Sequence, residues 1–172
     1  MTEELTLLFS RKEIAKTVAR LAKEISSDYG NKKVVTIGIL KGAFMFLADL
    51  VRLLTIPVEI DFMRIATYGS QRESSGEIKV MKEVETSLEG KDVLIIEDIV
   101  DTGLSLKFVR DYISAKNPAS VKICTLLDKT SKRKIEVQVD YIGFKIEDGF
   151  VVGYGIDFDE KYRYLPEIFI LN

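Results

Sequence analysis

The sequence feature that most constrains the fold is the stretch Val93–Ser105. It opens with an apolar run of the kind that a strand buried on both faces shows. Two carboxylates, Glu97 and Asp98, follow at once. A short polar segment then leads into residues with helical spacing, which Asn117–Pro118 ends. The stretch therefore predicts a buried strand, a tight loop and the start of a helix.

Such a loop suits a phosphate group, because the N–H groups at a helix start are unpaired and carry positive partial charge. Gly103 lets the backbone come close, and the hydroxyls of Thr102 and Ser105 can donate to phosphate oxygens. The preceding acids can hold Mg²⁺ or accept hydrogen bonds from sugar hydroxyls. The alternative is an ordinary solvated turn, which the length of the pattern and its predicted structural context disfavour.

Composition narrows the possible functions. The chain has 172 residues, 47% hydrophobic and 30% charged, as expected of a single globular domain spanning 1–172. The net charge of −2 gives no general basis for binding nucleic acid. The chain contains no histidine, which excludes His-based acid–base catalysis and His-ligated zinc. A general base must then be a carboxylate, Lys, Tyr or Cys.

The cellular location follows from what the chain lacks. Cys124 is the single cysteine, so no disulfide can form within the chain, and we expect it to be a small buried hydrophobe. The N-terminal residues show no signal-peptide pattern, and no apolar run approaches the roughly 18 residues of a membrane span. We therefore expect a cytoplasmic protein without a membrane partner.

Strands alternating with helices predict an α/β fold with a central, mostly parallel sheet flanked by helices. Ligands should gather at the carboxyl ends of the strands. A capping box at Ser10 and Glu13 begins a helix that ends near Tyr29, and a second helix is expected over Ala43–Leu54. Its inward residues are expected to be Phe44, Leu47 and Val51. Strands besides the one at Val93 are predicted at Val34–Leu40, Val58–Ala66, Ile78–Val84, Val121–Leu127, Tyr141–Ile146, Phe150–Val152 and Glu167–Leu171.

Other segments are ambiguous when taken alone. Lys41 and Gly42 follow a strand and could hold a second anion, although an ordinary turn is the alternative. Residues 129–134 form a basic cluster after the strand predicted at Val121–Leu127. Lys129 is nearest the strand end and could point into a site, whereas Lys132 and Lys134 are interpreted as part of a solvated turn. Phe150 alone favours a core position over a ligand platform.

The stretch Val93–Ser105 resembles, residue for residue, the 5-phosphoribosyl 1-diphosphate (PRPP) binding motif of type I phosphoribosyltransferases. From about Phe9 to the end, the order of motifs is similar to the bacterial hypoxanthine-guanine phosphoribosyltransferase family. The matching segments are Leu40–Gly42, Thr67–Gly69, Glu97–Gly103, Leu127–Lys129, Val139–Phe144, Phe150–Gly155, Asp157 and Arg163–Pro166.

The resemblance implies a type I phosphoribosyltransferase fold with a core at about 30–145 and a small hood from about 1–10 and 146–172. It also implies a mobile lid loop at about 67–77. The implied reaction belongs to purine salvage: phosphoribose passes from PRPP to N9 of hypoxanthine or guanine, which gives IMP or GMP and pyrophosphate. Mg²⁺ is the implied cofactor, and a homodimer or homotetramer is the implied assembly.

The resemblance also implies roles for particular residues. Asp101 is the implied catalytic proton acceptor at purine N7, and a cis peptide is implied before Lys41. The residues implied to bind PRPP are Glu97, Asp98, Asp101, Thr102, Gly103, Leu104 and Ser105. Those implied to bind pyrophosphate are Lys41, Gly42 and Arg163, and those implied to bind purine are Lys129, Phe150, Val151, Ile156 and Asp157. The implied lid residues are Thr67 and Tyr68, and the implied metal ligands are Glu97, Asp98 and Asp157.

Three other functions stay open at this point. A pyrimidine or xanthine phosphoribosyltransferase would share the fold, although Lys129 and the Phe150–Asp157 run oppose a pyrimidine. A nucleotide-sensing regulator that binds nucleic acid would need a basic stripe or an added domain. The slightly negative charge opposes this, so we expect small-molecule substrates and no nucleic-acid partner.

Overall fold

The computed structural model of the protein describes residues 4–70 and 73–172, and for residues 68–70 and 73–76 it describes the backbone alone. Within these ranges the chain forms a six-stranded sheet, a three-stranded sheet and three α-helices. In chain order the elements are β1 (Leu5–Phe9), α1 (Arg11–Tyr29), β2 (Val34–Leu40), α2 (Phe44–Val51), β3 (Val58–Ser70), β4 (Glu73–Lys82), β5 (Asp92–Val100), α3 (Leu104–Ser114), β6 (Ser120–Lys129), β7 (Tyr141–Ile146), β8 (Phe150–Val152) and β9 (Ile168–Leu171).

The large sheet has the strand order β4-β3-β2-β5-β6-β7. All neighbouring pairs are parallel except β3 and β4, which are antiparallel. The predicted α/β class, with a central and mostly parallel sheet flanked by helices, is confirmed. Because β2, β5 and β6 are adjacent and parallel, their carboxyl ends lie side by side at one edge of the sheet.

Strand β5 is buried on both faces, as its apolar run predicts. Val93 and Ile95 pack into the core cluster that also contains the inner face of α3. Leu94 and Ile96 pack into the opposite cluster, which contains the inner faces of α1 and α2. The alternation follows from the two-residue period of a strand. The strand is therefore held at the centre of the fold by packing on both faces. It leads directly into residues 102–105, called here the phosphate-type loop.

Helix α1 begins with the predicted capping box. The Ser10 hydroxyl accepts from the Glu13 backbone N–H at 3.3 Å, and the Ser10 N–H donates to the Glu13 carboxylate at 2.9 Å. The buried stripe of the helix includes Ile14, Val18, Leu21 and Ile25, whose spacing is that of one helix face. Both signals are local in sequence, which is why they could be read directly from it.

The second sheet, of order β1-β9-β8, is antiparallel. It is composed of the two terminal segments that were expected to form the hood. Strand β1 was not predicted, because its only strand partner in the described ranges, β9, lies at the opposite end of the chain. The sheet places Phe150 and the residues after it beside the carboxyl edge of the large sheet.

Two predictions about elements need correction. Helix α2 ends at Val51, and its fully buried residues are Phe46, Leu47 and Leu50, whereas Phe44 is 39% exposed. Because most of this segment is apolar, its periodicity does not fix which side faces the sheet.

The second correction concerns the polar residues 67–77, which were expected to form a mobile loop. Residues 67–70 belong to β3, and residues 73–77 belong to β4. Antiparallel pairing satisfies the backbone hydrogen bonds of this polar segment without requiring it to bury side chains. Its polarity was therefore misleading about its secondary structure.

Helices in the described ranges are too short or too polar to cross a bilayer. The Cys124 thiol is buried and free, as expected, and burial raises its pKa.

Replacing Ser10 with Ala removes the acceptor for the Glu13 amide and should lower the free energy of unfolding by about 1 kcal/mol. Urea unfolding followed by circular dichroism measures this change. Ser27→Ala, at an exposed position inside the same helix, is the matched control and should change the free energy by less than about 0.5 kcal/mol. Equal losses in the two variants would contradict the capping role.

Candidate active site

Three of the predicted functional residues lie where adjacent parallel strands end. Lys41 follows β2, Asp101 follows β5, and Lys129 is the last residue of β6. The strand order places them along one edge of the sheet. The candidate site is therefore built on rigid strands, with its variable chemistry in the loops that follow them.

The loop after β5 has the geometry expected of a phosphate site. Gly103 precedes α3 with φ of 85°, a left-handed conformation that favours glycine. A side chain there would also collide with the Ile135 carbonyl, since a Cβ would lie 2.4 Å from its oxygen. Thr102, Leu104 and Ser105 border a cavity of about 400 Å³ at the start of α3. The helix-start amides and two hydroxyls thus face a space of suitable size.

The opposite side of this cavity contains a residue that the sequence argument dismissed. Lys134 lines the cavity, together with Thr67 from β3, although it was interpreted as part of a solvated turn. Its backbone N–H donates to the Thr102 carbonyl at 2.9 Å, which ties it to the loop. The available signal was the basic run after β6, but only the fold shows which of its lysines faces the loop.

The two carboxylates at the end of β5 are packed closely together. Glu97 is 8% exposed, and its carboxylate accepts the Asp98 backbone N–H at 3.0 Å. The Asp98 carboxylate accepts the Ile99 N–H at 2.8 Å. Burial raises the pKa of Glu97 well above its usual range, and the negative charge of Asp98 raises it further. This pair favours a bound proton or cation.

The donor set fits Mg²⁺ only in part. Among the described residues, no three acidic or thiol side chains converge to form a metal site by themselves. Two adjoining carboxylates suit Mg²⁺, which is usually held by one or two carboxylates plus oxygens of the substrate. The third predicted ligand, Asp157, is engaged elsewhere: one carboxylate oxygen lies 3.0 Å from the Arg163 guanidinium, and the other accepts the Glu160 N–H at 2.8 Å.

The segment after β2 lies directly against the acids. The Leu40–Lys41 peptide is cis, as the resemblance implied. A Cβ on Gly42 would lie 1.8 Å from an Asp98 carboxylate oxygen, so any side chain there would have to displace this carboxylate. Gly42 also meets Gly155, where a Cβ would lie 2.3 Å from the Gly42 carbonyl oxygen. The loops after β2 and β8 and the end of strand β5 therefore meet at Gly42.

The two predicted pyrophosphate cations lie in one ionic network. The Lys41 ammonium is 2.8 Å from the Glu160 carboxylate, and the Arg163 guanidinium is 3.2 Å from the same carboxylate. Arg163 also donates to the Gly155 carbonyl at 2.8 Å. Glu160 was not predicted as a site residue, because only the fold brings it between the two cations.

The residues predicted to bind the purine base form what we call the base side of the site, and one of them, Lys129, lies near Asp101. Lys129 is buried, donates to the Gly149 carbonyl at 2.9 Å, and is 4.0 Å from the Asp101 carboxylate. It is also 3.4 Å from the Asp148 carboxylate. Asp101 Oδ1 is buried and has no hydrogen-bond partner within the part of the chain that the structure describes. The oxygen nearest the ammonium is the other one, Oδ2, and the Asp101 side chain is 40% exposed, so this carboxylate can accept a proton from a ligand.

The aromatic residue of this region is accessible. Phe150 is 52% exposed, so the interpretation of it as a core residue was wrong. Phe158 packs edge to face against it, with ring centroids 5.3 Å apart. Val151 and Ile156 are buried, so the second face of the predicted purine sandwich, Ile156, lies within the core cluster. The side chain of the predicted lid residue Tyr68 falls outside the described residues.

Comparison with known proteins decides the family. A family model described as "Phosphoribosyl transferase domain" matches residues 6–159. The chain belongs to the phosphoribosyltransferase family. It is 46% identical over 166 residues to the hypoxanthine-guanine phosphoribosyltransferase of Bacillus subtilis (strain 168), with 96% of this chain and 92% of the relative covered. It is 48% identical over 164 residues to the hypoxanthine-guanine phosphoribosyltransferase of Dictyostelium discoideum, with 93% and 91% covered.

The solved structures agree with the sequence relatives. A crystal structure of a hypoxanthine-guanine phosphoribosyltransferase from Bacillus anthracis superposes with a TM-score of 0.94 at 42% identity, covering 98% of this chain and 100% of that one. The recognition of the family from the Val93–Ser105 motif is thus confirmed, and so is the predicted fold class.

A cavity larger than the one beside Thr102 and Ser105 lies elsewhere in this phosphoribosyltransferase. It measures about 600 Å³ and is lined by residues of α1, α2 and the segment before β9, among them Asp49, Tyr154 and Tyr164. None of the predicted phosphate, metal or base ligands borders it. We assign the site by its chemistry rather than by cavity size, because the convergent charges and glycine contacts lie at the carboxyl edge.

The buried acid pair predicts a pH-dependent stability. Folded protein retains a proton on Glu97 at pH values where the unfolded chain has released it, so stability from this group is lost as pH rises above the ordinary Glu pKa. In the absence of ligand and metal, Glu97→Gln should melt at a higher temperature than the wild type at pH 7. The difference should vanish below about pH 4, where the Glu carboxyl is protonated in both states.

Differential scanning calorimetry from pH 4 to pH 8 measures this effect, and Glu89→Gln, at an exposed loop position, is the control for the change in net charge. A Glu97→Gln variant that melts below the wild type at pH 7 would contradict the assigned pKa direction.

Proposed function

We propose that the chain is a purine salvage enzyme that transfers phosphoribose from PRPP to N9 of hypoxanthine or guanine. The products are IMP or GMP and pyrophosphate. The observation that carries the proposal is the position of Asp101, with the phosphate-type loop on one side and the Lys129 ammonium 4.0 Å away on the other. The names of the relatives and the family match support the same reaction.

In this proposal the loop of residues 102–105 binds the 5′-phosphate of PRPP. Its helix-start amides and the hydroxyls of Thr102 and Ser105 supply the donors. Glu97 and Asp98 accept hydrogen bonds from the ribose hydroxyls and contribute ligands to Mg²⁺. The raised pKa of Glu97 supports a cation at this position, since a nearby positive charge would stabilise its ionised form.

The leaving group is stabilised by preorganised positive charge. Lys41 and Arg163 face the same carboxylate and can bind the same pyrophosphate. When bound, Mg²⁺ neutralises part of the charge that grows on the pyrophosphate oxygens. Preorganised charge of this kind is often the largest contribution to catalysis, because it is aligned before the bond breaks.

The purine is placed by three features on the base side. The exposed face of Phe150 offers a stacking platform, and Lys129 donates to O6 of the base. The backbone of Val151, with a carbonyl near Asp157, reads the N1–C2 edge of the base. Because an ammonium only donates hydrogen bonds, it favours a 6-carbonyl and disfavours the amino group of adenine.

Asp101 accepts the proton at purine N7 as the glycosidic bond forms. The 40% exposure of its side chain supports this role. The segment 67–77, with Thr67 bordering the phosphate cavity, closes over the reaction centre and excludes water.

Cellular context completes the proposal. The enzyme acts in the cytoplasm, which the free and buried Cys124 supports. It assembles as a homodimer or homotetramer. The exposed Leu53 and Tyr164, which border the cavity of about 600 Å³, support self-association.

Pyrophosphate release from PRPP, measured with each base in turn, tests the proposal directly. Hypoxanthine or guanine should support turnover in the presence of Mg²⁺, and omission of Mg²⁺ should abolish most of it. Adenine and pyrimidines should not support turnover. Release with xanthine alone, or with no base at all, would contradict the proposed substrate.

Asp101→Asn should lower kcat by about 10²- to 10⁴-fold, because the variant keeps the shape of the residue but loses the proton acceptor. The KM for PRPP should change by less than about threefold, since the phosphate loop stays intact. Steady-state kinetics with Asp159→Asn, an exposed acid with the same change of charge, provides the control. Wild-type turnover in Asp101→Asn would remove Asp101 from its catalytic role.

A further inference from the structure

Glu160 occupies the position between the two cations assigned to pyrophosphate. One carboxylate oxygen lies 2.8 Å from the Lys41 ammonium, and the other lies 3.2 Å from the Arg163 guanidinium. Among the described residues, Glu160 is the only acid that forms an ion pair with both cations. A carboxylate thus already occupies the place where the proposed function puts a phosphate anion.

The backbone around Glu160 is built to present this carboxylate. Asp159, Glu160 and Tyr162 have φ of 50°, 61° and 72°, a left-handed conformation that non-glycine residues rarely adopt. Reciprocal hydrogen bonds between Phe158 and Lys161, at 3.2 and 2.9 Å, close the turn. The Glu160 N–H is held by the Asp157 carboxylate at 2.8 Å. The turn is therefore ordered, although its side chains reach solvent.

The charges on this network favour the carboxylate over a neutral group. The hydrogen bond from Lys41 lowers the pKa of Glu160 most, and the hydrogen bond from Arg163 lowers it further. The Glu160 carboxylate is therefore ionised in the neutral range. The Glu160 side chain is 63% exposed and that of Lys41 is 43% exposed, so each ion pair is weak and can exchange with a ligand. Arg163, at 19% exposure, stays anchored by Asp157 and the Gly155 carbonyl.

We propose that Glu160 is an internal competitor for the pyrophosphate subsite, which sets how tightly the enzyme holds pyrophosphate. The inference rests on the proposed function. Pyrophosphate, or the diphosphate of PRPP, displaces the Glu160 carboxylate from Lys41 and Arg163 when it binds. The carboxylate returns when pyrophosphate leaves, so the two cations are not left unpaired, and product release is favoured.

Removal of the competing charge should therefore tighten binding, which is the opposite of what loss of a ligand-binding residue does. Glu160→Gln keeps the size of the side chain but cannot form the ion pairs. We expect its dissociation constant for pyrophosphate with Mg²⁺ to fall by about 3- to 10-fold, as expected from the loss of two exposed ion pairs. The KM of Glu160→Gln for PRPP should also fall.

Isothermal titration calorimetry with magnesium pyrophosphate measures the dissociation constant, and product-inhibition kinetics provide a second measurement. Asp159→Asn is the matched control: it makes the same change of net charge one residue away, and Asp159 forms no ion pair with Lys41 or Arg163 in the described structure. Its affinity for pyrophosphate should match the wild type. Raising the salt concentration should narrow the difference between Glu160→Gln and the wild type.

Unchanged or weaker pyrophosphate binding by Glu160→Gln would overturn the inference, since Glu160 would then position the cations rather than compete for them. An equal gain in Asp159→Asn would also overturn it, because the effect would come from net charge alone. These outcomes are distinct from failure of the proposed function, which would appear as a wild-type protein that releases no pyrophosphate from PRPP.

Discussion

The close contacts at Gly42 position most of the candidate site. The Asp98 carboxylate lies against one side of this glycine, and Gly155 lies against its carbonyl oxygen. A single added carbon atom would collide with the carboxylate, so the close approach of the loops after β2 and β8 to the end of β5 depends on the absence of a side chain at Gly42. The lysine after β2 and the arginine bound to Gly155 are consequently placed relative to one another by backbone contact, and the Asp98 carboxylate near the end of β5 packs against the same glycine.

The charges are arranged in two groups around this contact. On one side, burial and like charge raise the pKa of Glu97, which prepares a carboxylate pair for a cation. On the other side, Lys41 and Arg163 share the Glu160 carboxylate. An incoming substrate with a diphosphate and an associated cation could satisfy both groups at once. The protein itself pairs the cations with the Glu160 carboxylate, and Asp101 Oδ1 has no hydrogen-bond partner among the described residues.

Patterns that are local in sequence predicted the structure well. Strands β2, β7 and β8 have the predicted bounds, and the strand, loop and helix around Gly103 were expected from their residue types. Features that depend on distant pairing were missed. Strand β1 pairs with β9 from the other end of the chain, and Glu160 reaches Lys41 across 119 positions. The prediction of a loop at residues 67–77 failed for a related reason. Backbone pairing between β3 and β4 stabilises strands there without an apolar pattern.

The central claim is that one ligand joins the phosphate loop to the base side through Asp101. A crystal structure of the protein with IMP tests it most directly. The account predicts that the 5′-phosphate accepts hydrogen bonds from the amides of residues 102–105, with the purine stacked on Phe150 and O6 facing Lys129. A nucleotide bound in the larger cavity beside α1 and α2, or a phosphate held away from the loop, would contradict the account.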